Sequence, residues 1–319
     1  MPHREALLQL KHYMGKQIFG QEQLIDRMLI CLLAGGHMLV EGAPGLAKTK
    51  AIKALSEGID ADFHRIQFTP DLLPADITGT EIYRPETASF SFQQGPIFHH
   101  LVLADEINRA PAKVQSALLE AMAERQVSIG RQTYPLPELF MVMATQNPIE
   151  QEGTYPLPEA QLDRFLMHVR IGFPDAALER QILHLARGEA RGEPPCAAPQ
   201  VSQEAIFRAR REVLDLFMAD AVEEYLIQLI MATRKPQQYH PQLAEWIELG
   251  ASPRGTIALD HCARAHAWLA GRDFVSPEDV QAVVHDVLRH RLILSFEAEA
   301  EGVDADRTIG LLVESVAVV

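Results

Sequence analysis

Three short stretches hold the residue types that chemistry on a polyphosphate requires. Gly42-Ala43-Pro44-Gly45-Leu46-Ala47-Lys48-Thr49 follows the apolar run Met38-Leu39-Val40 and leads into a helical stretch from Lys50 to Ser56. Gly42 and Gly45 let the backbone curl so that several N–H groups face one point, and the new helix aims its positive end at that point. Lys48 can then reach the outer phosphates, and the Thr49 hydroxyl can ligate Mg²⁺. Ala47 departs from the strict phosphate-loop pattern, which has glycine there. Downstream, Leu101-Val102-Leu103-Ala104 ends in Asp105-Glu106. This spacing lets Asp105 face the Mg²⁺ shell while Glu106 orients and deprotonates a water. Phe140 to Thr145 is a third apolar run, and it delivers Gln146-Asn147. Asn147 is thereby placed to touch the terminal phosphate or the attacking water.

These residues act together only if a scaffold brings them to one edge. Short apolar runs alternate with helical patterns from about residue 20 to 173: Met38–Val40, Phe63–Phe68, Leu101–Ala104, Phe140–Thr145 and His168–Ile171. Such alternation predicts a parallel sheet covered on both faces, with the working loops at the carboxyl ends of the strands. Past Pro174 the strand pattern stops. Ala176 to Arg187 reads as a helix, and Gly192 to Pro199 reads as a loop because its three prolines forbid regular structure. Ser252-Pro253 and Ser276-Pro277-Glu278-Asp279 read as helix starts. Val280, Val283, Val284, Val287 and Leu288 then fall on one helical face. The expectation is an α/β domain over residues 1–174 followed by a helical domain over 175–319.

Composition narrows the class. The 319 residues are 47% apolar and 23% charged, enough to bury a sizeable core. The net charge of −14 argues against non-specific nucleic-acid binding, which needs Lys and Arg on phosphates. Cys31, Cys196 and Cys262 are odd in number, far apart and without metal-ligand spacing, as expected of reduced thiols. The start Met1-Pro2-His3-Arg4-Glu5 lacks a signal peptide's apolar core, and no apolar run reaches membrane-spanning length. A cytoplasmic protein without membrane insertion is expected.

The chain resembles the AAA+ ATPases, and within them the MoxR family. The resemblance rests on Gly42 to Thr49, on Ala104-Asp105-Glu106-Ile107-Asn108-Arg109-Ala110-Pro111, on Ala144-Thr145-Gln146-Asn147-Pro148 and on Leu162-Asp163-Arg164-Phe165. It runs from about Gln17 to Arg291, and Ala47 in place of glycine is usual in that family. The resemblance implies a P-loop NTPase core with a five-stranded parallel sheet, a helical lid, and ATP and Mg²⁺ as ligands. Gly42 to Lys48 would hold the nucleotide, Thr49 and Asp105 the metal. Glu106 and Asn147 would act on the water and the γ-phosphate. Ile18-Phe19-Gly20-Gln21 would pack beside the adenine. Arg164 would be the arginine finger reaching a neighbouring subunit's γ-phosphate, and Arg254 the γ-phosphate sensor of the lid, in cis or in trans. Arg109 is a weaker candidate for a contact between subunits. A homo-oligomeric ring follows, a hexamer in most relatives.

Two predicted hairpins refine the branch. Thr80–Tyr83 with Phe90–Phe92, inside an insert near 78–93, and Gln126–Ile129 with Gln132–Tyr134, turning at Gly130-Arg131 inside 126–134, resemble the inserts shared by MoxR proteins, magnesium chelatase motor subunits and replicative helicases. The function implied is ATP-driven remodelling or maturation of a client protein, with a separate von Willebrand factor A domain protein as partner. A magnesium chelatase-like subunit and a nucleic-acid-linked motor or regulator stay as alternatives. The second lacks a basic stripe, a zinc site and aromatic–basic interleaving in this sequence.

Overall fold

The computed structural model describes residues 2–86, 88–130, 132–147, 153–192 and 196–318. Helices α1 (Pro2–Gln17) and α2 (Glu22–Ala34) precede β1 (Met38–Glu41), α3 (Lys48–Gly58) and β2 (Phe63–Gln67). Next come α4 (Pro74–Thr78), a hairpin of β3 (Gly79–Arg84) and β4 (Ser89–Gln94), β5 (Leu101–Asp105) and α5 (Ala112–Glu124). A second hairpin of β6 (Gln126–Ile129) and β7 (Gln132–Pro135) leads to β8 (Met141–Gln146), α6 (Glu159–Leu162) and β9 (Met167–Arg170).

Strands β2, β5, β8, β1 and β9 lie in that order in one sheet, each parallel to its neighbours. Successive side chains of a strand point to opposite faces. Met38, Val40, Leu101, Leu103, Met141, Met143, Met167 and Val169 therefore enter one core. Leu39, Val102, Ala104, Val142 and Ala144 enter the other. With both faces buried, the strands read as continuous apolar runs rather than alternating ones.

The rest is mostly helical: α7 (Ala176–Ala190), α8 (Gln203–Leu214), α9 (Asp220–Arg234), α10 (Pro241–Trp246), α11 (Pro253–Leu269), α12 (Pro277–Leu288), α13 (Phe296–Ala300) and α14 (Ala305–Ser315). The valine face of α12 is fully buried, and the helix packs on α11 and β9. Buried residues of α8, α9, α11 and α12 join the same core as α1, α2 and one sheet face. This part also contains strand pairing that the sequence pattern did not show. Phe217–Met218 (β10) pairs with Phe274–Val275 (β12), and Ile247–Leu249 (β11) with Ile293–Leu294 (β13). Segments of two or three residues are too short to display alternation. Of the proline loop, Glu193, Pro194 and Pro195 lie outside the described residues, as do Arg131 of the second hairpin turn and Pro148. Among the described residues no helix is long and apolar enough to cross a membrane.

Two buried histidines stitch these layers. The His37 Nδ1 accepts the Val142 N–H at 3.0 Å and its Nε2 lies 3.3 Å from the Met122 carbonyl, so the ring is neutral with its proton on Nε2. Burial pushes its pKa down to about 3. Burial likewise pushes His290 well below its ordinary value, with Nε2 3.0 Å from the Phe165 carbonyl. Both folded values lie below the unfolded one, so the stability they confer is complete above the unfolded histidine pKa. It is lost as the pH falls below that value, and for His37 the loss continues toward about 3. The slope is at most about 1.4 kcal/mol per pH unit for each ring. The urea midpoint, followed by circular dichroism, is expected to fall from pH 7 to pH 5 and to stay flat from pH 7 to pH 8.

Candidate active site

The turn from β1 into α3 places the first group. A Cβ on Gly42 would lie 2.4 Å from the Ile171 side chain, so this glycine admits the end of the neighbouring strand. Gly45 has φ +85° with open space around it, a conformation that β-carbons disfavour. Ala47 caps α3 in the left-handed region, φ 56°. Left-handed alanine costs about 1 kcal/mol or more, and the sequence tolerates it where glycine would fit without strain. Ala47→Gly is therefore expected to change unfolding free energy by at most about +1 kcal/mol, read from urea titration. Lys48 donates to the Gly42 carbonyl at 2.6 Å and to that of Ala43 at 3.3 Å. Partial burial lowers its pKa, while Asp105 and Glu106 oppose the shift.

The acids arrive from β5 and are fixed from β8. Thr145, fully buried, donates its hydroxyl to Asp105 Oδ1 at 2.6 Å and accepts the Glu106 N–H at 2.9 Å. Glu106 itself is left-handed, φ 57°, which turns the chain sharply at the strand end. Strained backbone of this kind persists only where surrounding bonds hold it, here the Thr145 hydroxyl. Asn147 is buried beside these acids.

Lys48, Thr49, Asp105, Glu106 and Asn147 all line one cleft of about 410 Å³ at the carboxyl edge of the sheet, together with Pro44, Gly45, Leu46 and Ala47. Gly42 and Ala43 sit behind it as the carbonyls that receive Lys48. The cleft adjoins a groove of about 210 Å³ walled by Ile18, Phe19, Phe173, Ile182 and Leu185, with Pro44 to Ala47 and Lys50 lining both. An apolar slot joined to a cationic loop suits one ligand with a flat ring at one end and phosphates at the other. Gly20 does not line the slot. Its φ is +74°, and the missing Cβ makes room for Leu178 of α7, which lies 2.7 Å from where one would stand.

Two residues that the sequence reading passed over, Arg65 in the cleft and Gln67 beside it, hold the acids. Arg65 donates to Asp105 Oδ2 at 2.6 Å through Nη2 and 3.0 Å through Nε, and to Gln67 Oε1 at 2.8 Å. Gln67 in turn donates to Glu106 Oε2 at 2.8 Å, and the Arg109 Nε lies 3.1 Å from that oxygen. Arg109 thus pairs with an acid of its own chain. Arg65 and Gln67 are two apart on β2, so they share a face. The polar Arg-Ile-Gln alternation at a strand's carboxyl end was the available signal. The fit to Mg²⁺ rests on the hard oxygens of Thr49 and Asp105, and on Asp105 already attracting the guanidinium cation of Arg65.

Arg164 and Arg254 lie elsewhere. Arg164 follows α6 and donates to the Leu119 carbonyl at 2.8 Å. Arg254 is exposed in the first turn of α11. Both line a second cavity of about 350 Å³ with His261 and Arg291, and it shares no lining residue with the phosphate cleft.

Comparison with known proteins agrees with this architecture. Residues 37–167 match the ATPase family associated with various cellular activities (AAA), and residues 243–310 match the AAA lid domain. The chain is 47% identical over 301 residues to the chaperone MoxR1 of Mycobacterium tuberculosis, covering 94% of this chain and 79% of that protein. It is 43% identical to the protein YeaC of Bacillus subtilis, covering 96% and 92%. A crystal structure of a protein from Cytophaga hutchinsonii superposes with a TM-score of 0.91 at 45% identity, covering 99% of this chain and 96% of that one. With an α/β core, an AAA lid and this degree of identity over most of its length, the chain belongs to the MoxR family of AAA+ ATPases.

Proposed function

We propose that this chain hydrolyses Mg²⁺-ATP at a site shared between two copies of itself in an oligomeric ring, and that the ring remodels or matures client proteins. The observation that carries the shared site is the separation of Arg164 and Arg254 from the phosphate cleft of their own chain. Two arginines that face one cavity, apart from the cleft of their own Lys48, are placed to meet a γ-phosphate that a second copy presents. This reading assigns Arg254 to action in trans, together with Arg164.

Within the cleft, the loop amides and Lys48 bind the phosphates, and Asn147 reaches the terminal phosphate or the water. Bound Mg²⁺, held by Thr49 and Asp105, would neutralise charge on the phosphates. Glu106 receives the proton of the attacking water. The two donors on its Oε2, Gln67 and Arg109, compete with that water for the carboxylate. Gln67→Ala is accordingly expected to raise basal kcat roughly two- to tenfold with KM unchanged, the range that a net hydrogen bond of about 0.5–1.5 kcal/mol allows.

Client handling is assigned to the hairpins. Phe92 of β4 stacks on Tyr134 of β7 at 4.1 Å, which joins the two inserts into one unit. That unit exposes Ile82, Tyr83 and Phe90. A von Willebrand factor A domain partner and a hexameric, cytoplasmic assembly belong to the same proposal. The test is ATP turnover with Mg²⁺ or EDTA, alongside light scattering with and without nucleotide. Metal-dependent turnover confined to an oligomer is expected. Full turnover by a monomer would count against the shared site.

A further inference from the structure

We infer that Asp163 is a positioning residue that yokes Arg164 to Arg254, so that the two arginines approach the neighbouring nucleotide as one rigid pair. This rests on the proposed shared site. The yoke is a chain of hydrogen bonds between elements distant in sequence. Asp163 Oδ1 accepts Arg291 Nε at 2.9 Å, and Asp163 Oδ2 accepts the Ser252 hydroxyl at 2.8 Å. The Ser252 oxygen also accepts the backbone N–H of Arg254 at 3.1 Å. The backbone carrying Arg254 is therefore two hydrogen bonds from the carboxylate of the residue adjoining Arg164.

Arg291 holds the other side of the joint. Its side chain is only 2% exposed. Its Nη2 donates to the Phe165 carbonyl at 2.6 Å and its Nη1 to that of Leu166 at 3.2 Å and to that of Val287. These bonds already anchor α12 to the strand that follows Arg164. The Asp163 carboxylate adds something they do not: a connection to the N-cap of α11, on whose first turn Arg254 stands. Arg254 is exposed and would otherwise be placed only by the body of its helix. A catalytic group must be held near its productive position, and a displacement of about 1 Å can lower rate about a hundredfold.

Asp163→Asn keeps shape but takes the charge from the Arg291 pair, and an amide nitrogen facing Ser252 must donate to the hydroxyl oxygen that already accepts the Arg254 N–H. Ser252→Ala cuts the same link from the other side and leaves the Asp163–Arg291 pair intact. Each variant is expected to keep KM for ATP, since its own phosphate cleft is untouched, while kcat falls about ten- to a hundredfold for Asp163→Asn and less for Ser252→Ala. Mixing Asp163→Asn with Glu106→Gln, whose arginines are intact, is expected to restore turnover. The double variant D163N/R254A is expected to be little slower than R254A alone, since the link acts through the placement of Arg254. If D163N does not fold, as judged by circular dichroism, S252A carries the same measurements.

The control is R164A mixed with E106Q. If that control recovers activity but D163N (or S252A in its stead) does not, or if the variants turn over at the wild-type rate, the yoke is refuted. If mixed oligomers form and neither pair recovers, the shared site itself fails and takes the yoke with it.

Discussion

Glu106→Gln is expected to bind ATP as tightly as the unmodified chain while kcat falls about 10²- to 10⁴-fold, the usual contribution of a positioned general base. The separation of binding from turnover follows from the cleft. In the proposed function the phosphates meet the amides of the loop, the start of α3 and Lys48, and the Lys48 ammonium is held by the Gly42 and Ala43 carbonyls. The amide is the same size as the acid, and one of its atoms can still accept from Gln67 or Arg109, so the left-handed turn at Glu106 keeps its support from Thr145. What is lost is the ability to take a proton from water. Single-turnover kinetics with radiolabelled ATP and an equilibrium titration with a fluorescent nucleotide would separate the two quantities. A loss of less than tenfold in kcat would remove Glu106 from the role of base.

Arg164→Ala is expected to lower kcat about 10³- to 10⁵-fold, the range for an arginine that meets developing charge on a transferred phosphoryl group. Its own cleft stays whole, because the side chain lines the other cavity and, among the described residues, donates to the Leu119 carbonyl. The diagnostic feature is complementation. An Arg164→Ala subunit has a competent cleft and no finger, whereas a Glu106→Gln subunit has a finger and no base. Mixed in varying ratio at constant total concentration, the two are expected to give a rate that rises to a maximum at intermediate ratios. A flat response with mixed oligomers present would place Arg164 in a structural role. Arg254→Ala is expected to complement in the same way, since it shares the cavity.

Much of this protein was legible in the order of its residues. The phosphate loop, Asp105-Glu106 and Asn147 each follow an apolar run, and local rules are enough to put the end of a buried parallel strand at the catalytic edge. Ala47 departs from the glycine pattern in residue type but not in backbone, which is left-handed as a glycine there would allow. The hairpins at 79–94 and 126–135 were visible for the same reason, as short polar-apolar alternations around turns.

Other features needed the chain folded. Arg65 and Gln67 gain meaning only when β2 pairs with β5 and sets Gln67 opposite Asp105. The stack of Phe92 on Tyr134 joins two inserts that are unrelated in sequence. Above all, the sequence left open whether Arg254 serves its own nucleotide or a neighbour's. The placement that bears on this choice comes from α12 packing on β9 and α11 packing on α12, with Asp163, Ser252 and Arg291 as the fastening. Strand ends and loop chemistry depend on neighbours a few residues away, so sequence alone determines them. The company that an arginine keeps across a helix–sheet junction depends on which apolar faces meet, and only the tertiary structure decides that.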